Sequence, residues 1–270
     1  MSIGTEDHKN LFCRMLLDTF NPYKPAVIQW PVLSEEAFKR LTTLPFWNIA
    51  VHTEERASVR VKALAEQTLD PLLKEAISLD AFEEDRHKHV LKYMTDFYGI
   101  KIAPYVFEKP KNAEWAFMLT GYGECFESFF AFGLFALARK SGFFPLPLIE
   151  VFEPVVQEEG RHILFFVNWV AYVQANLPFW KKPWFFFKCM AAIIYAVWTR
   201  VKTVTGTKTG NFTAQGANAL SIKTSALDFL NLCFSENDRR MKIYDERLLR
   251  PKLVPNLMNI VRWFLEKRKK

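Results

Sequence analysis

Glycine is scarce in this sequence, 10 residues in 270, and β-branched residues seldom alternate with polar ones. Sheet architectures need turn glycines and a two-residue period, so an all-α fold is expected. The four cysteines (Cys13, Cys125, Cys189, Cys233) stand far apart with no C-x-x-C pair. That spacing argues against a disulfide framework and against a thiolate zinc site. The opening "MSIGTEDHKN" has no basic stretch followed by an apolar one, so no secretory signal is expected and the cytoplasm is the expected compartment. What the sequence has in quantity is apolar side chain: half of all residues, with 26 Phe. A chain of this length and composition buries a substantial core.

Charge is unevenly spread. Residues 1–180 carry 18 Lys/Arg against 23 Asp/Glu, a net −5, whereas residues 181–270 carry 18 against 6, a net +12. An acidic part is followed by a basic one, and different roles are expected for them.

Helical periodicity organises the middle of the chain. One apolar stripe runs through 46–69, and Asp70-Pro71 supplies an N-cap and a first-turn proline for a second helix over 71–98. A third is expected over 113–140, ended by Ser141-Gly142, and a fourth from Pro145–Pro147 to about Gln174. Two such hairpins predict a four-helix bundle. The chain then divides into a lead-in segment (1–45), the bundle (46–177) and a basic, aromatic-rich helical extension (178–270).

Each of the four stripes is interrupted by an acid or a histidine in mid-helix. Buried carboxylates are costly unless paired, hydrogen-bonded or bound to metal. The pentapeptide "EEDRH" at 83–87 returns 75 positions later as "EEGRH" at 158–162. Glu84 with His87, and Glu159 with His162, lie three apart and so share one helix face. With 20 Glu and five His, roughly 0.4 such pairs arise by chance, so one copy identifies nothing. Two copies on inward stripes are far more specific. Opposite them, Glu54 lies sixteen residues before Asp70 while Glu84 lies fourteen after it, so the two are level across the first hairpin. In the second, Glu127 lies fifteen before Gly142 and Glu159 fifteen after Phe144.

Glu on the first and third helices and Glu-x-x-His on the second and fourth resembles the ligand pattern of the ferritin-like di-iron carboxylate superfamily. The acid before each ligand Glu and the arginine before each histidine look like the "[DE]-E-x-R-H" signatures of soluble acyl-carrier desaturases and multicomponent monooxygenases. The resemblance covers 46–175, about half the chain. It implies a ferritin-like bundle with additional C-terminal helices, and two metal ions held by Glu54, Glu84, His87, Glu127, Glu159 and His162, with Glu84 and Glu159 bridging. Four carboxylates and two imidazoles suit two iron ions or a manganese–iron pair.

Alternatives stand beside several of these residues. Glu55 competes with Glu54, which is preferred for sharing its face with Ala50, Ala57 and Val61. Glu124 competes with Glu127, which is preferred on depth from the turn. His52 would be an additional ligand of the kind known in di-iron N-oxygenases, although an exposed position is the simpler reading. Glu83 and Glu158 are either surface acids or acceptors for the histidine of the opposite hairpin. Asp80 sits on the inward stripe, and Arg86 and Arg161 offset the charge gathered there. Gly121, Gly123 and Gly133 in the third helix either open a cavity or allow close packing.

The resemblance implies an oxidoreductase that activates O2 to hydroxylate, desaturate or N-oxygenate a hydrophobic small-molecule or carrier-bound substrate, with electrons from a donor such as a ferredoxin. One departure is noted: soluble monooxygenases often carry a threonine one turn after the third-helix ligand, where Phe130 and Ala131 stand here. The competing readings are a metal-storage or peroxide-scavenging protein, and a di-iron tRNA hydroxylase. No RNA-binding motif is recognisable, so a nucleic-acid partner is not expected. Aromatic and basic residues over 178–203 suit either a helix covering the bundle or contact with the inner face of a membrane, their apolar run being short for a span. Homodimerisation is left open.

Overall fold

The computed structural model describes residues 1–205 and 224–267, and every regular element among them is helical. In chain order these are α1 (Glu6–Asp18), α2 (Glu35–Thr43), α3 (Trp47–Gln67), α4 (Pro71–Phe97), α5 (Ala113–Ser141), α6 (Leu146–Glu150), α7 (Glu153–Asn176), α8 (Lys182–Thr205), α9 (Ala226–Met241) and α10 (Leu253–Lys267). Four long helices, α3, α4, α5 and α7, surround the residues singled out above.

Local chemistry sets their ends. The Asp70 carboxylate accepts the Leu73 N–H at 2.9 Å and Pro71 occupies the first turn, so α4 starts directly behind α3 and the two run antiparallel. The Asn112 side chain accepts the Trp115 N–H at 2.9 Å to begin α5. Gly142, at φ 64°, ends it in the left-handed conformation that a side chain would strain.

The helix expected from Pro145–Pro147 to Gln174 is in fact two. The chain breaks at Val151–Phe152, leaving α6 as a short separate turn before α7. Pro154 accounts for this, because its nitrogen has no proton to donate and its ring would collide with the carbonyl of Glu150 in a continuous helix. A proline in the first turn of a helix is well placed; the same residue nine positions into one is not.

Close packing on α5 depends on missing side chains. A Cβ on Gly121 would fall 2.2 Å from the Phe166 ring of α7, and one on Gly133 would fall 2.3 Å from Cys233 Sγ of α9. Of the two roles open to these glycines, packing is therefore that of Gly121 and Gly133, whereas Gly123 lines a cavity. Around them Phe117, Phe129, Phe132, Phe165 and Phe166 are almost completely buried, each contributing about 1.5–3 kcal/mol through burial.

The first 45 residues are more than a lead-in. Helix α1 lies on α7 and α4 with Phe12, Cys13 and Leu16 buried, and the buried His8 ring meets Asn168 Oδ1 at 3.0 Å. Asn168 also accepts from Leu249 N–H at 2.9 Å and donates to Leu249 C=O at 3.0 Å, so one α7 side chain ties both outer segments to the centre. In the basic extension, Arg240 of α9 is fully buried and grips Glu153 at 2.9 and 3.2 Å. Helix α8 packs on α5 through Phe185, Cys189, Ala192 and Ala196, and turns Trp184, Phe187, Ile194 and Trp198 outward. Among the described residues no helix is long and apolar enough to cross a membrane. The last three residues of the terminal basic run, 268–270, lie outside the described residues.

Candidate metal centre

The two matching pentapeptides face one another across α4 and α7. One ligand-type atom from each of Glu84, His87, Glu159 and His162 falls within 4.8 Å of all the others. Spacing of three within each helix brings carboxylate and imidazole to one face, and packing brings the two faces together. The imidazole centroids are 5.6 Å apart. Glu54 joins from α3, its Oε2 3.6 Å from His87 Nδ1. Both histidines and Glu84 are buried, whereas Glu54 and Glu159 keep about a fifth of their side-chain surface, which opens into the cavity they line.

Behind each histidine stands an acid from the opposite helix. His87 Nε2 donates to Glu158 at 2.8 Å, and His162 Nε2 donates to Glu83 at 2.9 Å. Arg86 donates to Glu158 at 2.7 Å and to Glu83 at 3.3 Å, and Arg161 to Glu83 at 3.1 Å. The arginines are themselves anchored: Arg86 donates to the Asn21 carbonyl at 2.6 Å and Arg161 to the Leu16 carbonyl at 2.6 Å. Tyr23 completes the ring, its hydroxyl donating to Glu158 at 3.2 Å beneath the Arg86 guanidinium. Because Nε2 is committed to these acids, it is Nδ1 of each imidazole that points at the cluster.

The inner atoms lack the partners that the outer ones have. Glu84 Oε1, Glu124 Oε1, His87 Nδ1 and His162 Nδ1 are all buried without a hydrogen-bond partner. His162 Nδ1 and Glu84 Oε1 lie 2.8 Å apart, yet their orientation does not make a hydrogen bond. Buried polar atoms are nearly always satisfied, so the orphans of Glu84, His87 and His162 gathered in one cluster are the arrangement a cation would complete.

Electrostatics point the same way. Burial pushes Glu84 up to about 8, with the charge of Glu159 adding to it. Burial, then the charges of Glu84 and Glu159, hold Glu124 well above the usual carboxylate range. Burial also raises Glu54, partly offset by the nearby His87 ring, and takes Asp80 to about 6 against the pull of His162. For His87 burial alone would lower the pKa, but Glu158, Glu159 and Glu54 overcome it and raise it well above normal. For His162 burial is likewise outweighed, by Asp80, Glu83 and Glu84. Glu159 goes down despite burial through the adjacent His87 ring, whose Nδ1 lies 3.1 Å from it, and Glu83 through the hydrogen bond of His162. Without metal, in other words, bound protons supply the positive charge that so many acids require.

The remaining candidates fall as follows. On α5, the charges of Glu84 and Glu159 reach Glu124, and both Glu124 and Glu127 line the adjoining cavity. Because α6 and the break at Val151–Phe152 intervene between the turn and α7, equal residue counts from the turn do not mean equal height in this hairpin. Glu55 belongs neither to the cluster nor to the cavity wall. His52 faces away, meeting the Ala103 carbonyl at 2.8 Å and the Tyr105 ring. Asp80 lies 3.7 Å from His162 Nε2. Tyr23 was beyond sequence reasoning, since it reaches the site from an irregular segment with no period or motif to mark it.

A cavity of about 580 Å³ adjoins the acids, within the usual range for small-molecule sites. Its walls are largely apolar, running from Trp47, Met94 and Leu148 at one end, past Glu54, Glu124 and Glu159, to Arg60, Thr120 and Tyr195 at the other. Comparison with family models, curated proteins and solved structures finds no match to this chain. Its own geometry is thus what defines it: an all-helical protein with a buried Glu/His cluster able to hold a metal ion, opening on an apolar cavity.

Proposed function

We propose that this protein is a non-haem di-iron oxidase or oxygenase of the ferritin-like kind, acting on a hydrophobic organic substrate. The observation that carries the reading is the convergence of unpartnered, buried Glu and His atoms on the wall of an apolar cavity. The ligand set is Glu54, Glu84, His87, Glu124, Glu159 and His162, with Glu124 taking the place first given to Glu127. Charge balance favours two divalent ions: four inner carboxylates match them, while Arg86 and Arg161 match Glu83 and Glu158. Oxygen and nitrogen donors without thiolate suit iron or manganese. When bound, such a pair supplies the electrons and Lewis acidity for O2 activation.

The chain's own residues do the rest. Glu83 and Glu158 fix the imidazole orientation and make Nδ1 the better donor. The apolar walls exclude water and receive the substrate. With Glu124 as the α5 ligand, the residue four further on is Ser128, a buried hydroxyl in the cavity wall. The hydroxyl missing beside Glu127 is then present one turn beyond Glu124, placed to hold a proton next to the site.

The test is anaerobic loading with ferrous iron, followed by metal analysis and O2 uptake with and without apolar substrates. Two irons per chain and substrate-dependent O2 uptake support the proposal. O2 uptake without any organic substrate, in a multimeric shell, would establish the storage or scavenging reading. No metal bound, with ligand variants as stable as the parent, would leave a purely structural bundle.

The outward face of α8 supports a second proposal, contact with an anionic membrane surface. Trp184, Phe187, Ile194 and Trp198 repeat at helical spacing and are exposed, with Lys181 and Lys182 at the helix start. A second copy of the chain would bring one net +12 segment against another, whereas anionic lipid complements it.

A further inference from the structure

The cavity wall carries a cation, Arg60, that the metal cluster does not explain. Arg60, on α3, lines its wall half-buried, and its nearest polar contact is Thr120 Oγ1 at 3.5 Å. No carboxylate among the described residues pairs with it; Glu124, the acid that acts on it at longer range, belongs to the cluster. Burial, then neighbouring Arg56, lowers its pKa, yet a guanidinium stays charged at any physiological pH. Holding a half-buried guanidinium with no carboxylate partner in a largely apolar wall costs free energy that an anionic ligand would recover.

Position gives that ligand a shape. Arg60 lies six residues beyond Glu54 on α3, about 9 Å along the axis, and Trp47 lies seven before it, about 10 Å the other way. The cluster is therefore near the middle of a passage about 20 Å long, with a cationic end and an apolar one. At the apolar end the polar groups are already satisfied: Trp47 Nε1 donates to the Leu41 carbonyl at 2.8 Å, and Arg40 donates to the Phe143 carbonyl at 2.9 Å. At the other end, half-exposed Tyr195 of α8 joins Arg60 and Thr120 in lining the cavity.

We propose that the cavity takes a single-chain amphipathic acid, its carboxylate held by Arg60 and its apolar chain laid past the metal residues toward Trp47 and Leu148. This rests on the oxygenase reading only in making a mid-chain carbon, rather than either end, the site of oxidation. Binding itself requires no metal. The guanidinium offers two N–H groups in one plane to the two carboxylate oxygens, an arrangement a lysine or an ester cannot reproduce.

The experiment is calorimetric titration of the metal-free, full-length protein with hexadecanoic acid and with its methyl ester, which keeps the chain and removes the charge. The acid is expected to bind at least about tenfold more tightly than the ester, as a charge-assisted pair requires. In R60Q the acid falls to the affinity of the ester, while ester binding stays within about twofold. Equal binding of acid and ester by the parent protein, or a preference that survives in R60Q, overturns the proposal. Should R60Q not fold, A131W decides it by filling the cavity about two turns beyond Glu124 on α5: both ligands are lost, and undiminished acid binding would place the site elsewhere. Acid binding that persists while the chain takes up no iron would sink the oxygenase reading and leave this one standing.

Discussion

Glu124 and Glu127 differ by less than one helical turn, and the chemistry of the site turns on which of them looks inward. Glu124 has a buried, unpartnered oxygen, and burial first, then the charges of Glu84 and Glu159, raise its pKa. E124Q is therefore expected to lose at least one equivalent of bound metal per chain, and E127Q to retain both, as read by metal analysis after anaerobic loading. The pH dependence follows from the raised acids. Glu84, pushed to about 8 from an unperturbed value near 4.3, favours the metal-free fold while protonated. That stability is complete below the unfolded value and is lost as pH rises through about 8. The metal-free protein should melt at a lower temperature at pH 9 than at pH 6, and loading with a divalent ion should release protons and abolish the decline. A flat profile for the metal-free protein would contradict this. Glu83 presents a different case, since it neutralises two buried arginines and orients His162. E83A leaves uncompensated charge, so a loss of about 3–5 kcal/mol in denaturant unfolding is expected. The milder E83Q should chiefly weaken metal affinity, by about 10–100-fold.

At the scale of elements, α5 carries the greatest demand. It receives α7 at Gly121, α9 at Gly133 and α8 along Phe185–Ala196, while lending Glu124 and Ser128 to the cavity. G121A places a methyl group inside the Phe166 ring, and the overpacking should cost about 1–3 kcal/mol by urea titration. A change within a few tenths would show that α7 can shift without penalty. The stripes of α3, α4 and α5 were legible in the sequence because Asp70-Pro71 and Gly142 mark their ends chemically. The division between α6 and α7 was legible too, in Pro154, but the apolar period runs through the break and conceals it. Periodicity reports which side of a helix is buried. It does not report whether the helix is continuous.

Over the whole molecule, the acidic bundle and the basic extension are not separate bodies. Arg240 on Glu153 and Leu249 on Asn168 fasten the C-terminal third to α7, a few residues from the cluster. The extension thus leaves its aromatic α8 face outward on a rigid support, near the Tyr195 end of the cavity. Sedimentation with vesicles should show binding to anionic lipid that weakens with salt, and little to zwitterionic lipid. Replacing Trp184 and Trp198 by serine should reduce the bound fraction several-fold without altering metal content. Equal binding to both vesicle types would remove the electrostatic part of the argument.

The sequence by itself determined the stripes of α3, α4 and α5, the inward acids and the crossed logic of EEDRH and EEGRH, because residue type and spacing of three or four act within one helix. Tertiary packing decided everything that depends on height and rotation between helices. It set Glu124 within reach of the charges of Glu84 and Glu159, brought Tyr23 and α1 behind the histidines, and left a passage with Arg60 at one end. Those outcomes depend on how side chains from distant parts of the chain fill one shared volume, and no local pattern encodes that volume.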